Sequence, residues 1–456
     1  MSLRTLIRFW LLLGTLFPAL PCTAPLARSQ QAPSIPPPPS STTTPEFLAT
    51  ADEVLSEMSE ITGWKLQGPL KKSIRSRAEI RDYILKQMDD EKDAKERYAS
   101  ARSGEAFGLF PKNFDLDHFL VDLLTEQIAG LYDPKTHEFY IADWIAPDEQ
   151  RMVMSHELTH ALQDQYFHID AWVHAARPND DAELAREAVL EGSAMAGMLD
   201  YMLKDKGLNL RDIPDVDPSL FVGDLSDTPM LKKAPPFIKD SLLFPYFSGL
   251  SFSLGVLRTG GWSGFGAVFA RAPANTQQVM HPALYRANKV PAPLMVDLPE
   301  SVPGKGWNKL EENAMGEFGW VEILKQFVDP ELAKGVAEGW DGDDYICFEQ
   351  KDTKRLVLAT RERFNSEEMA TRFFEAYAEA LGNRYPLTHD VKRGNEYVSF
   401  VAEDGPVFLR CVARECISLQ GGDPSAFPAW MKRLGWPAAS DAPEPQATPT
   451  DIQTTN

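Results

Sequence analysis

The sequence predicts an α+β protein: a mainly helical unit carrying one β-hairpin, followed by a smaller α+β domain. Three observations lead there. Segments with apolar residues at helical spacing dominate up to about residue 270. Among them, two short apolar runs flank Asp133-Pro134-Lys135-Thr136, where proline suits the second position of a tight turn. Beyond Pro291, strand-like runs surround one strong helix.

The N-terminal end is a separate matter. Arg4 and Arg8 precede an apolar run from Phe9 to Leu20, too short to cross a bilayer comfortably and right for a signal-peptide core. Ala27-Arg28-Ser29 and Cys22-Thr23-Ala24 are candidate cleavage sites, while Pro21 weakens a lipoprotein reading through Cys22. Residues 1–29 therefore read as a signal peptide and the protein as exported, periplasmic or extracellular. Membrane contact is expected only if that segment stays uncleaved or lipidated. Its removal takes away three arginines and no acid, moving the formal charge from −20 to −23. Such acidity argues against a nucleic-acid partner. Without Cys22, only Cys347, Cys411 and Cys416 remain, which leaves room for one disulfide, with Cys411–Cys416 the candidate pair, and excludes a disulfide scaffold.

Residues 30–45 are Pro-, Ser- and Thr-rich and read as an extended linker. Helices are expected at Glu46–Glu60, at the heavily charged Ala78–Tyr98, and at His118–Ile128, where Phe119, Leu120, Leu123 and Leu124 share a face. The hairpin spans Gly130–Ala142 and serves either as an ordinary structural element or as an edge that holds an extended peptide. His137 within it reads as merely polar. Ala146-Pro147-Asp148-Glu149 then has the proline and early acids of a helix start.

That helix contains His156-Glu157-Leu158-Thr159-His160. Histidines four apart lie one turn apart on one face, where both imidazoles can grip a zinc ion, with Glu157 beside a metal-bound water. Val153, Leu158, Ala161 and Leu162 make the segment apolar enough to be buried, so its polar groups need partners. A third ligand is expected from Ala182–Leu203, whose apolar stripe is interrupted by Glu191. Glu187, one turn earlier and beside Glu183, is the rival and reads as the edge of the stripe. Gln163 and Tyr166 stand where a metzincin would need its glycine and third histidine. His168 and His174 are treated as ordinary surface histidines, and Asp164 is a candidate to orient an imidazole.

Glu191-Gly192-Ser193-Ala194, downstream of HELTH, resembles the EGxA glutamate motif of gluzincin-type zinc metallopeptidases. The resemblance covers roughly residues 130–200 and rests on two short motifs. It implies a zincin-like catalytic domain with His156, His160 and Glu191 as zinc ligands, Glu157 as catalytic base, and a peptide or protein substrate. The thirty-residue gap from His160 to Glu191 is longer than in the best-known gluzincins. An oxyanion donor is expected from a later segment, with His281 preferred over Tyr246 and Tyr285.

The Asp- and Pro-rich stretch 206–240 reads as an irregular crossing, with helices resuming at Phe247–Leu257 and on to about Phe269. Helices at Val321–Phe327 and Glu331–Glu338 follow, then strands at Tyr345–Phe348, Leu356–Thr360, Tyr397–Ala402 and Val407–Val412 around a helix at Ser366–Leu381. Asp341, Asp343 and Asp344 read as a solvated acidic loop rather than a calcium site. The expected domains are 46–300 (catalytic) and 301–437 (small α+β), with a low-complexity tail at 438–456. Two alternatives stand beside a peptidase: a zinc hydrolase of another amide or ester, and an envelope binding or scaffold protein that keeps a zincin fold without turnover.

Overall fold

In the computed structural model, residues 44–89, 91–214, 228–296, 298, 305–422 and 432 are described. The expected signal peptide, nearly all of the linker and the tail lie outside them. Two compact units are present. The first comprises the described residues up to Ala101 together with Lys112–Val290, and the second comprises Arg102–Pro111 and those from Pro291 onward. The expected domain boundary at 300 thus falls near 290. The surprise is the ten-residue excursion at 102–111, which belongs with the second unit: Arg102 pairs with Glu349, and Phe107 meets Trp320 and Tyr345 edge-on.

The first unit opens with helix α1 (Thr44–Thr62), strand β1 (Lys71–Arg75), and helices α2 (Arg77–Met88), α3 (Glu91–Phe107, of which the part from Arg102 belongs to the second unit) and α4 (Leu116–Gln127). The single helix expected at Ala78–Tyr98 is therefore two. Ser76 begins α2 with a capping box closed by Glu79. Next come β2 (Gly130–Asp133) and β3 (Glu138–Ala142), the expected hairpin, then α5 (Pro147–Phe167), α6 (Ile169–His174) and α7 (Asp180–Leu203). Strand β1 was not foreseen. Its sequence, Lys-Lys-Ser-Ile-Arg, has no apolar alternation, and it forms by pairing parallel to β3, giving the order β1-β3-β2.

Helix α5 is buried all round from Val153 to Asp164, because α1, α7 and the sheet pack against it. A short helix, α8 (Pro229–Lys233), and a long one, α9 (Pro236–Ala270), which is broken at Gly261 where φ is +59°, give the described end of the expected crossing more order than the sequence suggested. Helices α10 (Thr276–Met280) and α11 (Pro282–Arg286) end the unit. Among the described residues no helix is long and apolar enough to cross a membrane.

The second unit is a seven-stranded antiparallel sheet in the order β4-β5-β6-β10-β9-β8-β7. Its strands are β4 (Trp307–Asn313), β5 (Trp340–Gln350), β6 (Leu356–Phe364), β7 (His389–Arg393), β8 (Tyr397–Ala402), β9 (Gly405–Val412) and β10 (Glu415–Gly421). Helices α12 (Gly316–Lys325), α13 (Pro330–Ala337) and α14 (Glu367–Arg384) complete it. Alternation along β6 sends Val357 and Ala359 to one face, against Val296 and Leu298, and Phe364 to the other, against Phe373 of α14. Ser366 caps α14 by accepting from the Met369 N–H.

Three of these strands, β4, β7 and β10, were missed from sequence. The acidic loop is in fact part of β5: Asp343 accepts from the N–H groups of Met315 and Gly316 and from Trp340 Nε1, and Asp341 pairs with Arg363 and Arg414. These carboxylates cap and brace the fold. Cys411 and Cys416 face each other across β9 and β10 in a disulfide.

Candidate metal centre

Spacing puts His156 and His160 on one side of α5, and the antiparallel neighbour α7 brings Glu191 up to them. His156 Nε2 lies 3.2 Å from His160 Nε2 and 3.0 Å from Glu191 Oε2, while His160 Nε2 lies 3.6 Å from Glu191 Oε1. All three side chains are buried. Among the described residues this is the group of histidines and acids that can hold a metal ion. Burial works to raise the Glu191 carboxyl, but the imidazoles of His160 and His156 outweigh it and hold it at about 2. Burial likewise opposes a charge on His160, and Glu191 and Glu157 override it, raising its pKa.

A close helix crossing makes this convergence. A Cβ on Gly192 would lie 2.0 Å from the Gly249 carbonyl carbon, and one on Gly249 would lie 2.1 Å from the Ala188 oxygen. Glycine at both positions lets α9 press backbone to backbone on α7, directly beside Glu191. One turn before Gly249, Tyr246 then stacks on the His156 ring with centroids 6.3 Å apart. Burial first, and then Glu191 and Glu157, push its hydroxyl well above the usual tyrosine range, so it stays protonated.

His160 is oriented from behind. Its Nδ1 donates to Gln163 Oε1 at 3.1 Å, Gln163 Nε2 donates to Ser193 Oγ at 2.7 Å, and Ser193 donates to the Val189 carbonyl. That chain fixes the tautomer in which Nε2 carries a lone pair. Asp164, a candidate for this role, instead accepts from the Tyr132 hydroxyl, the Ile169 N–H and His137 Nδ1. Gln163, which had counted only as a departure from the metzincin pattern, is the residue that sequence reasoning overlooked. His156 has no counterpart: its Nδ1 is buried and meets no protein partner.

Glu157 is buried beside the group and accepts the Tyr132 backbone N–H at 2.8 Å. Glu187 is not the edge of a stripe. It is fully buried, both oxygens lack partners, and burial together with Glu191 and Glu183 raises its pKa well above normal. His174 lies near Asp170 and Glu183, and His168 closes α5 in a left-handed conformation. His281 sits at the junction of α10 and α11, and α10 is tethered through Thr276 to Asp181 at the start of α7. A ring stacked against the candidate metal-binding group is that of Tyr246, one of the three residues named from the sequence as oxyanion donors.

Comparison with known proteins reaches only the second unit. A family model described as a domain of unknown function (DUF8575) matches residues 305–413, which cover β4 through β9 and hold none of the candidate metal-binding group. No curated protein and no solved structure matches the chain.

Proposed function

We propose that the first unit is a zinc-dependent hydrolase of peptide bonds, and that the chain is exported. The spacing of the donors carries this reading. Two ligands each about 2.0–2.1 Å from a shared tetrahedral ion stand about 3.3–3.4 Å apart. The two imidazole nitrogens are 3.2 Å apart, and carboxylate oxygens stand 3.0 and 3.6 Å from them. Two imidazoles and one carboxylate, with a fourth position left over, is a donor set of catalytic zinc rather than structural zinc. Bound there, zinc would acidify water and polarise a substrate carbonyl.

The protein's own groups supply the remaining chemistry. Glu157 takes a proton from the attacking water and passes it to the leaving amine. Gln163 keeps the His160 proton on Nδ1, leaving Nε2 free to ligate. Tyr246, held protonated by its surroundings, donates toward the oxygen that gains charge as the carbonyl is attacked. The Cys411–Cys416 disulfide supports an oxidising compartment, in keeping with export.

Metal content by mass spectrometry tests the reading. One zinc per wild-type chain is expected, lost or much weakened in His160→Ala and Glu191→Ala, and retained in Glu157→Gln together with loss of hydrolysis. No zinc in any folded preparation, even after it is added back, would sink the proposal. A second reading, a zincin-like binding protein without turnover, draws on the burial of His156, Glu157 and Glu191, each at most 2% exposed. It predicts that Glu157→Gln leaves the protein's function unchanged.

A further inference from the structure

We propose that the β2–β3 hairpin is a latch that aims Glu157, and that Tyr132 is the positioning residue through which it acts. The inference rests on the hydrolase reading above, since a base needs aiming only if it moves a proton. Glu157 and Asp164 are seven residues apart on α5, so both carboxylates lie on one face, about 10 Å apart along the axis. Tyr132 spans that interval. Its backbone N–H donates to Glu157 Oε2 at 2.8 Å and its hydroxyl donates to Asp164 Oδ2 at 2.8 Å.

The hairpin's register explains why that N–H is available. Ala142 N–H donates to the Ala129 carbonyl, so 131/140 and 133/138 are also hydrogen-bonded pairs. Gly130 and Tyr132 therefore turn their backbone groups to the free edge of β2, which faces α5. A Cβ on Gly130 would lie 2.4 Å from Val153 Cγ1, so a side chain there would force Val153 or the strand to shift. At the hairpin's closed end Asp164 gathers further donors, the Ile169 N–H at 3.0 Å and His137 Nδ1 at 3.1 Å. His137 itself is exposed and held at a φ of +49°. Asp133 braces the turn from within, accepting from the Lys135 N–H and the Tyr140 hydroxyl.

The consequence is a carboxylate whose orientation is set by a strand rather than by its own helix. A base held this way does not reorient when it takes a proton. Loosening the hairpin removes that advantage without touching a metal ligand.

Tyr132→Phe is the test, because it keeps the ring and the backbone N–H and removes only the hydroxyl. With the full chain loaded with zinc and denatured casein as the probe, kcat is expected to fall about ten- to a hundredfold, the weight of one hydrogen bond to a charged group. KM and bound zinc stay as in the wild type. Amide hydrogen exchange in peptides covering 130–133 quickens, while exchange over 153–163 does not change. An unchanged kcat, a Tyr132 amide that stays protected, or faster exchange throughout 153–163 each overturns the latch and leaves the hydrolase reading standing. A wild-type chain that holds zinc but cleaves no casein removes that reading and this inference with it. If Tyr132→Phe does not fold, His137→Ala at the exposed end of the same network carries the test, with a smaller fall in kcat expected and an unchanged kcat again decisive against it.

Discussion

The helix crossing that builds the candidate metal centre makes a sharp prediction about one methyl group. In Gly249→Ala the new Cβ would stand 2.1 Å from the Ala188 carbonyl oxygen and 2.9 Å from its carbon. Ordinary contact needs about 3.4 Å, and the obstacle is helix backbone that has no rotamer to change, so α9 must retreat from α7 by roughly 1.3 Å at this point. Overpacking of this kind destabilises by about 1–3 kcal/mol. In a unit of this size that lowers Tm by about 2–4 °C per kcal/mol. Tyr246 rides on the same turn, so it retreats from the His156 ring, whereas the three proposed ligands, carried by α5 and α7, do not. Gly255→Ala is the control: it lies on the same helix, its Cβ meets nothing within 4 Å, and it gains helix propensity of about 1 kcal/mol. Calorimetry of the two variants should show shifts of opposite sign, with zinc content unchanged in both. Equal shifts, or a stabilised Gly249→Ala, would refute the claim that the crossing is backbone on backbone.

The link behind His160 predicts that Gln163→Leu lowers zinc affinity about 10- to 100-fold with little loss of fold, which a competition titration with a chelator measures. A Gln163→Leu protein with wild-type affinity would show that the Gln163–Ser193 chain does not orient the ligand. In the second unit, Glu362 is fully buried with both oxygens unpartnered, and burial, aided by Asp343, raises its pKa well above 4.5. Folded, it keeps its proton to higher pH than the unfolded chain does. The contribution of Glu362 to stability is therefore greatest below about 4.5 and declines as pH rises toward the folded pKa. Glu362→Gln, neutral at every pH, is expected to flatten that decline in denaturant melts taken at pH 5 and pH 8. A wild type and variant with parallel pH profiles would mean that Glu362 ionises in the fold.

Local signals were enough for the HELTH helix, the hairpin before it, the α+β class and the Ser366-capped helix. Each depends on neighbours in sequence: a four-residue spacing, a proline in a tight turn, a cap beside two acids. Glu191 was legible for a related reason, since an isolated carboxylate in an apolar stripe asks for a cation. What the sequence could not decide came from chain segments far apart. Strand β1 exists because β3 offers it a partner, and Asp343 and Asp344 became strand because β6 pairs with them. Tyr246 reached the His156 ring because two glycines, Gly192 and Gly249, let two helices touch. Asp164 stands one turn beyond His160 in sequence, yet its neighbour Gln163 took the imidazole, because Ser193 on α7 stood ready to hold the amide. Residue type and spacing thus determined which groups could do chemistry, and tertiary contact decided which of them meet.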